Sequence, residues 1–260
     1  MGHIIRKAGK VSIEIVRQAV FRFYGELNDF LPPERRQRAF LHRFELSAPV
    51  KDMIEGLGVP HPEVDLILAN GRSVDFTYLV QDGDRISVYP MFESLDITPL
   101  VRVRPRPLRR PRFVLDTHLG RLAGYLRMLG FDALYRNNYD DHELAAISAA
   151  EHRILLTRDA GLLKHGVVTH GYWLRSTDAR RQLVEVVRRF DLWRQIDPFT
   201  RCMRCNVPLE AASGEDLAAV PQEARRRYQE FRRCPGCGRV YWQGSHYQRM
   251  QSWIQALGLR

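Results

Sequence analysis

The sequence predicts an α/β fold built on an open parallel sheet, preceded by a small α+β unit and followed by a cysteine-hooked one. Three observations carry that reading. Phe113-Val114-Leu115 runs into Asp116 and Ile154-Leu155-Leu156-Thr157-Arg158 runs into Asp159, and such short apolar runs suit strands buried on both faces of a parallel sheet. Between them Leu119, Leu122, Leu126 and Leu129 recur at intervals of three and four, which gives a helix one apolar face, and Gly130 follows where that helix should end. Leu134-Tyr135 then reads as a short strand and 141–151 as a second helix, so the order strand, helix, strand, helix, strand is that of an open α/β sheet.

At 260 residues the chain has room for one large or two modest domains. Its 45% hydrophobic and 27% charged residues are an ordinary soluble globular composition. No apolar run approaches the roughly 20 residues that span a bilayer, so a membrane protein is not expected. The basic start at Arg6, Lys7 and Lys10 leads into a mixed segment rather than a signal-peptide core, which predicts a cytoplasmic protein. Forty Lys and Arg against 30 Asp and Glu give a net charge of +10, which favours polyanionic partners. Lysine occurs only at 7, 10, 51 and 164, and the remaining cations are arginines, whose planar fork suits phosphate.

Residues 11–96 form the first unit. Val20–Tyr24 and His42–Leu46 read as strands, and Val50–Leu57 as a short helix closed by Gly58. Asp65–Ala69 is a third strand that turns at Asn70-Gly71, a strong hairpin dipeptide because both central positions of that turn need positive φ. Arg85–Tyr89 follows Asp82-Gly83-Asp84 as the last strand. Residues 97–112 are a linker ending in VRVRPRPLRRPR, with arginines at 102, 104, 106, 109, 110 and 112 and three prolines. Proline favours extended backbone and like charges repel, so this linker is stiff, and Arg109 and Arg110 are candidate phosphate contacts in it.

In the α/β unit, 113–197, ligands are expected beyond the carboxyl ends of the strands, where Asp116 and Asp159 sit. Either can instead cap the helix that follows it. Asp140-Asp141-His142-Glu143 has capping-box spacing, so Asp140 can cap while Asp141 faces the site. Asp178 follows the strand-like run Tyr172–Arg175 and precedes a helix over 179–190, so it too is cap or ligand. Arg121, Arg127 and Arg158 lie near these acids in sequence and are candidate nucleic-acid contacts. In 198–250, Cys202-Met203-Arg204-Cys205 and Cys234-Pro235-Gly236-Cys237 hold all four cysteines and can supply four thiolates to one structural Zn²⁺. The 28 residues between the hooks exceed the usual span of about fifteen to twenty, and a helix over 222–231 absorbs the excess. Tyr241 and Trp242 beyond the second hook can stack bases or pack the ribbon.

The run LDTHLGRLAGYLRMLGFD, the acidic pair in YDD, RILLTRD followed by AGLL, Gln182-Leu183, and the blocks RCMRCN and CPGCGRVYWQGSH resemble the Mut-seven C-terminal RNase family, a branch of the PIN-like nucleases with a zinc ribbon. The resemblance spans roughly half the chain, from Phe113 to about His246. It implies a PIN-like nuclease domain in which Asp116, Asp141 and Asp159 bind the catalytic Mg²⁺ or Mn²⁺, Asp140 and Asp178 being the further candidates. It also implies products with 5′-phosphate and 3′-hydroxyl ends. The first unit, through ANGRSVDFTYLVQDGDRISVYP, resembles ubiquitin-like β-grasp domains of the sulfur-carrier type. Those carriers end in a free Gly-Gly, whereas here the chain continues through Pro90, which leaves a scaffolding role or a docking role toward a protein partner.

The expected function is a divalent-metal-dependent ribonuclease acting on RNA at the aspartate cluster. The alternative is a non-catalytic RNA- or ribosome-associated adaptor that uses the ribbon and the basic linker.

Overall fold

In Arg17–Phe23 apolar residues recur at every second position, and the strand they form, β1, buries Ala19, Phe21 and Phe23 on one face while Gln18 and Arg22 stay exposed on the other. The structure, a computed structural model, describes residues 16–90, 103 and 111–256. Most of the arginine-rich linker, including Arg109 and Arg110, lies outside the described residues. Strand β2 (Phe40–Phe44) runs antiparallel to β1 and begins two residues before the expected His42, because Phe40 stacks on Phe23 with ring centroids 6.2 Å apart. Helix α1 (Val50–Gly56) turns Val50, Met53 and Ile54 into the core. Strands β3 (Val64–Ala69) and β4 (Arg72–Val74) are joined at Asn70 (φ 53°) and Gly71 (φ 80°), both left-handed as the dipeptide requires. Strand β5 (Arg85–Pro90) pairs in parallel with β1, giving the order β2-β1-β5-β3-β4, which is the β-grasp arrangement. Phe21, Phe23, Leu27, Leu31, Ile54, Ile67 and Ile86 fill its core.

The second sheet holds β6 (Phe113–Leu115), β7 (Ala133–Tyr135), β8 (Ile154–Thr157) and β9 (Gly171–Trp173), in the order β7-β6-β8-β9. Strand β6 is parallel to both β7 and β8, and the chain's strand order reverses between β6 and β8. Helices α2 (Gly120–Met128), α3 (Asp141–Glu151), α4 (Ala160–Leu163) and α5 (Ala179–Arg189) complete the α/β unit. Gly130 (φ 94°) ends the first of these helices as expected, and a Cβ there would stand 2.2 Å from the Asp197 carbonyl oxygen, so no other residue fits.

Beyond it, β10 (Glu210–Ala211), β11 (Phe231–Arg233) and β12 (Val240–Trp242) make a small antiparallel sheet, with α6 (Gln222–Arg227) inserted and α7 (Ser245–Ala256) following. Helix α6 stops at Arg227 rather than continuing to Phe231, because Phe231–Arg233 is claimed by pairing with β12. Residues 159–171, an excursion between β8 and β9 that contains α4, group with the β-grasp unit; the rest of the α/β unit groups with the cysteine hooks.

Candidate active site and metal centre

Leu115 pairs with Leu156 across the β6–β8 ladder, so the next residues, Asp116 and Thr157, fall side by side at the carboxyl ends of the two strands. The Thr157 hydroxyl donates to Asp116 Oδ2 at 2.6 Å, and the Thr117 amide donates to Oδ1 at 2.5 Å. Asp116 is only 5% exposed and Thr157 is fully buried, so these donors hold the carboxylate in one orientation. His118, largely exposed, brings Nε2 to 3.8 Å from Asp116 Oδ1. Thr157 and His118 were not singled out in the sequence; their role follows from strand register and a tight turn rather than from a motif.

The other predicted acids are exposed and sit at helix starts. Asp140 caps α3 with the full capping box, its Oδ1 accepting from the Glu143 amide at 2.7 Å, and Asp141 is the first residue of that helix. Asp159 caps α4 through the Gly161 amide at 2.7 Å. Asp178 caps α5 through the amides of Arg180 and Arg181 at 3.1 and 3.0 Å. Among the described residues no three carboxylates are gathered closely enough to hold an ion, and the cysteine quartet is the group that is.

Cys202, Cys205, Cys234 and Cys237 bring their sulfurs within 4.8 Å of one another. Sγ separations of 3.3 Å (Cys202 to Cys205, and Cys205 to Cys234) and 3.7 Å (Cys202 to Cys237) approach the edge of about 3.8 Å that a tetrahedron of zinc–sulfur bonds near 2.3 Å requires. They are far beyond the roughly 2.05 Å of a disulfide. Each hook is followed by a left-handed residue, Asn206 (φ 66°) and Gly238 (φ 70°), which turns the chain back so that both sulfurs of a hook face one point. Burial raises the Cys202 thiol, but the Tyr241 hydroxyl at 3.1 Å and the Cys205 amide bring it down to about 6. Cys205 is pushed up, by burial first and then by its neighbouring thiols. That crowding of sulfurs is what a divalent cation relieves, so the donor set fits a thiolate-bound metal. Tyr241 therefore belongs to the hooks, and Trp242 packs on Phe231 at 6.3 Å with Gly244 leaving room for its ring.

Arg127 corrects the sequence reading. It does not face a phosphate site: it is 5% exposed, its Nε donates to the Ala133 carbonyl at 2.9 Å, and Nη1 donates to the carbonyls of Met203 and Arg204 at 3.2 and 2.7 Å. It ties α2 and β7 to the first cysteine hook. Asn206 strengthens the same junction, accepting from the Ala133 amide at 3.0 Å and donating to Asp132 Oδ1 at 2.6 Å, while Arg153 reaches Asp132 from the start of β8 at 2.8 Å. Arg121 and Arg158 are exposed, as a phosphate contact needs.

An open sheet whose strand order reverses beside a strand-end carboxylate, tied through its first helix to a four-cysteine unit, makes an α/β domain with a ribbon-like appendage that follows a β-grasp domain in the chain. A family model for the Mut7-C RNAse domain matches residues 111–254, and one for the Mut7-C ubiquitin domain matches residues 16–96. The chain belongs to the Mut7-C RNase domain family. Searches of curated proteins and of solved structures found no match.

Proposed function

We propose that the chain is a divalent-metal-dependent ribonuclease that hydrolyses RNA phosphodiester bonds at its strand-end aspartates. The observation that carries this reading is Asp116, a buried carboxylate at the end of β6, where the strand order reverses, inside the span that matches an RNAse domain. In this reading Asp116, Asp141 and Asp159 hold Mg²⁺ or Mn²⁺, with Asp140 or Asp178 in support, since carboxylate oxygens are the donors such hard ions take. When bound, the ion supplies a water of lowered pKa and neutralises charge on the phosphodiester. Thr157 fixes the orientation of Asp116, Arg121 and Arg158 take phosphates of the RNA backbone, and Arg109 and Arg110 of the linker are further candidates for that task. The cysteine quartet binds structural Zn²⁺, which four thiolates leave without an open position for substrate. The ubiquitin-like domain serves a protein partner.

The capping roles of Asp140, Asp159 and Asp178 favour a second reading, a non-catalytic RNA- or ribosome-associated adaptor. Hydrolysis of labelled RNA in Mn²⁺ separates the two. Cleavage by the wild type that falls about 100-fold in both Asp116→Asn and Asp159→Asn supports the ribonuclease. Equal rates in the variants contradict the site, and salt-dependent RNA binding without cleavage favours the adaptor.

A further inference from the structure

Helix α4 has four residues, far below the length at which a helix holds itself together, so its place must come from contacts made by its flanks. Asp159 caps it at one end; at the other, the chain runs through Lys164 to Val168, where contacts with the β-grasp unit accumulate. His61 Nε2 lies 2.6 Å from the Val168 carbonyl oxygen, and its Nδ1 lies 2.5 Å from Glu55 Oε1. Lys164 Nζ donates to the Glu55 carbonyl at 2.9 Å. His61 is 5% exposed, its ring meets Phe76 edge-on at 5.7 Å, and Leu163 and Val168 are fully buried beside these links.

Both partners of the ring are acceptors. Each contact therefore needs a hydrogen, one on Nε2 toward Val168 and one shared in the link to Glu55, which fixes the ring in a single orientation. Buried polar links of this kind add little stability over apolar filling, but they select one arrangement of the pieces they join. Here the pieces are the β-grasp unit and the segment that opens with Asp159.

We infer that His61 is a positioning residue for the proposed reaction: from the β-grasp domain it fixes the segment 160–168, and through that segment the helix that Asp159 caps. The inference rests on the ribonuclease reading, and it gives the ubiquitin-like domain a task within its own chain.

The test uses the full-length protein with His61→Leu, which keeps an apolar filling, and Lys164→Met, which leaves the β-grasp core untouched. Amide exchange and RNA cleavage in Mn²⁺ are measured side by side. Exchange over 160–168 should rise about tenfold in both variants while strands β1 and β3 keep their protection. The kcat should fall roughly tenfold with KM within about a factor of two, because substrate contacts are intact and only the placement of Asp159 changes. Unchanged exchange over 160–168, or exchange that rises equally in β1 and β3, overturns the inference. If His61→Leu does not fold, Lys164→Met decides on the same two readouts. If the wild type cleaves no RNA, the ribonuclease reading fails by itself, and exchange confined to 160–168 still upholds the link while unchanged exchange overturns it.

Discussion

Thr157 has no reactive role of its own, yet its hydroxyl is what keeps Asp116 Oδ2 hydrogen-bonded inside the sheet. Thr157→Val preserves the shape and removes the donor, leaving a buried carboxylate oxygen short of a partner. Urea unfolding should show a loss of about 1–3 kcal/mol for Thr157→Val and much less for Thr157→Ser. Equal stability of the Val variant and the wild type would show that the bond contributes nothing. Arg127 is the other decisive residue. Its guanidinium serves three backbone carbonyls, two of them in the first cysteine hook, so Arg127→Met should cost about 2 kcal/mol or more and expose 198–210 to protease. A variant as protease-resistant as the wild type would remove Arg127 from this account. Neither role was legible in the sequence, because the partner of Thr157 and the two hook partners of Arg127 stand 41 and 76 or 77 residues away and are set by register and packing. The Asp140 capping box was legible because its two partners are three residues apart.

At the scale of elements the same division holds. Helices α2 and α3 and the hairpin at Asn70-Gly71 were readable, since periodicity, a capping box and two left-handed positions are local signals. The end of α6 and the grouping of 159–171 with the β-grasp unit were not, since each is decided by a partner elsewhere in the chain. The junction of β7, β8 and the first hook turns on Asp132. Burial opposes its ionisation, but the donors on Arg153 and Asn206 hold its carboxyl below the usual aspartate range. A folded pKa below the unfolded value near 3.9 means that this link contributes fully above about pH 4 and is lost as pH falls through the folded value. Urea midpoints followed downward from pH 6 should therefore drop more steeply below about pH 4 in the wild type than in Asp132→Asn. Parallel curves would mean that the shift does not stabilise the fold.

In the whole molecule, the β-grasp domain, the α/β sheet and the cysteine unit each have their own local logic, and the junction through Arg127 and Asn206 links the last two. Zinc binding can supply on the order of 10 kcal/mol to folding a small site. Cys234→Ser should remove stoichiometric zinc and loosen the region after about Thr200, and the loosening should reach β7 through Arg127 and Asn206. Elemental analysis with limited proteolysis checks this, and a zinc-free variant cleaved no faster than the wild type would contradict it. The strand-end aspartates are proposed as a site for hard cations, and crystals soaked in Mn²⁺ and measured at the manganese absorption edge test this most directly. An anomalous peak is expected within about 2.5 Å of carboxylate oxygens of both Asp116 and Asp159. Density that holds a metal at the four cysteines and shows no manganese at Asp116 would contradict it.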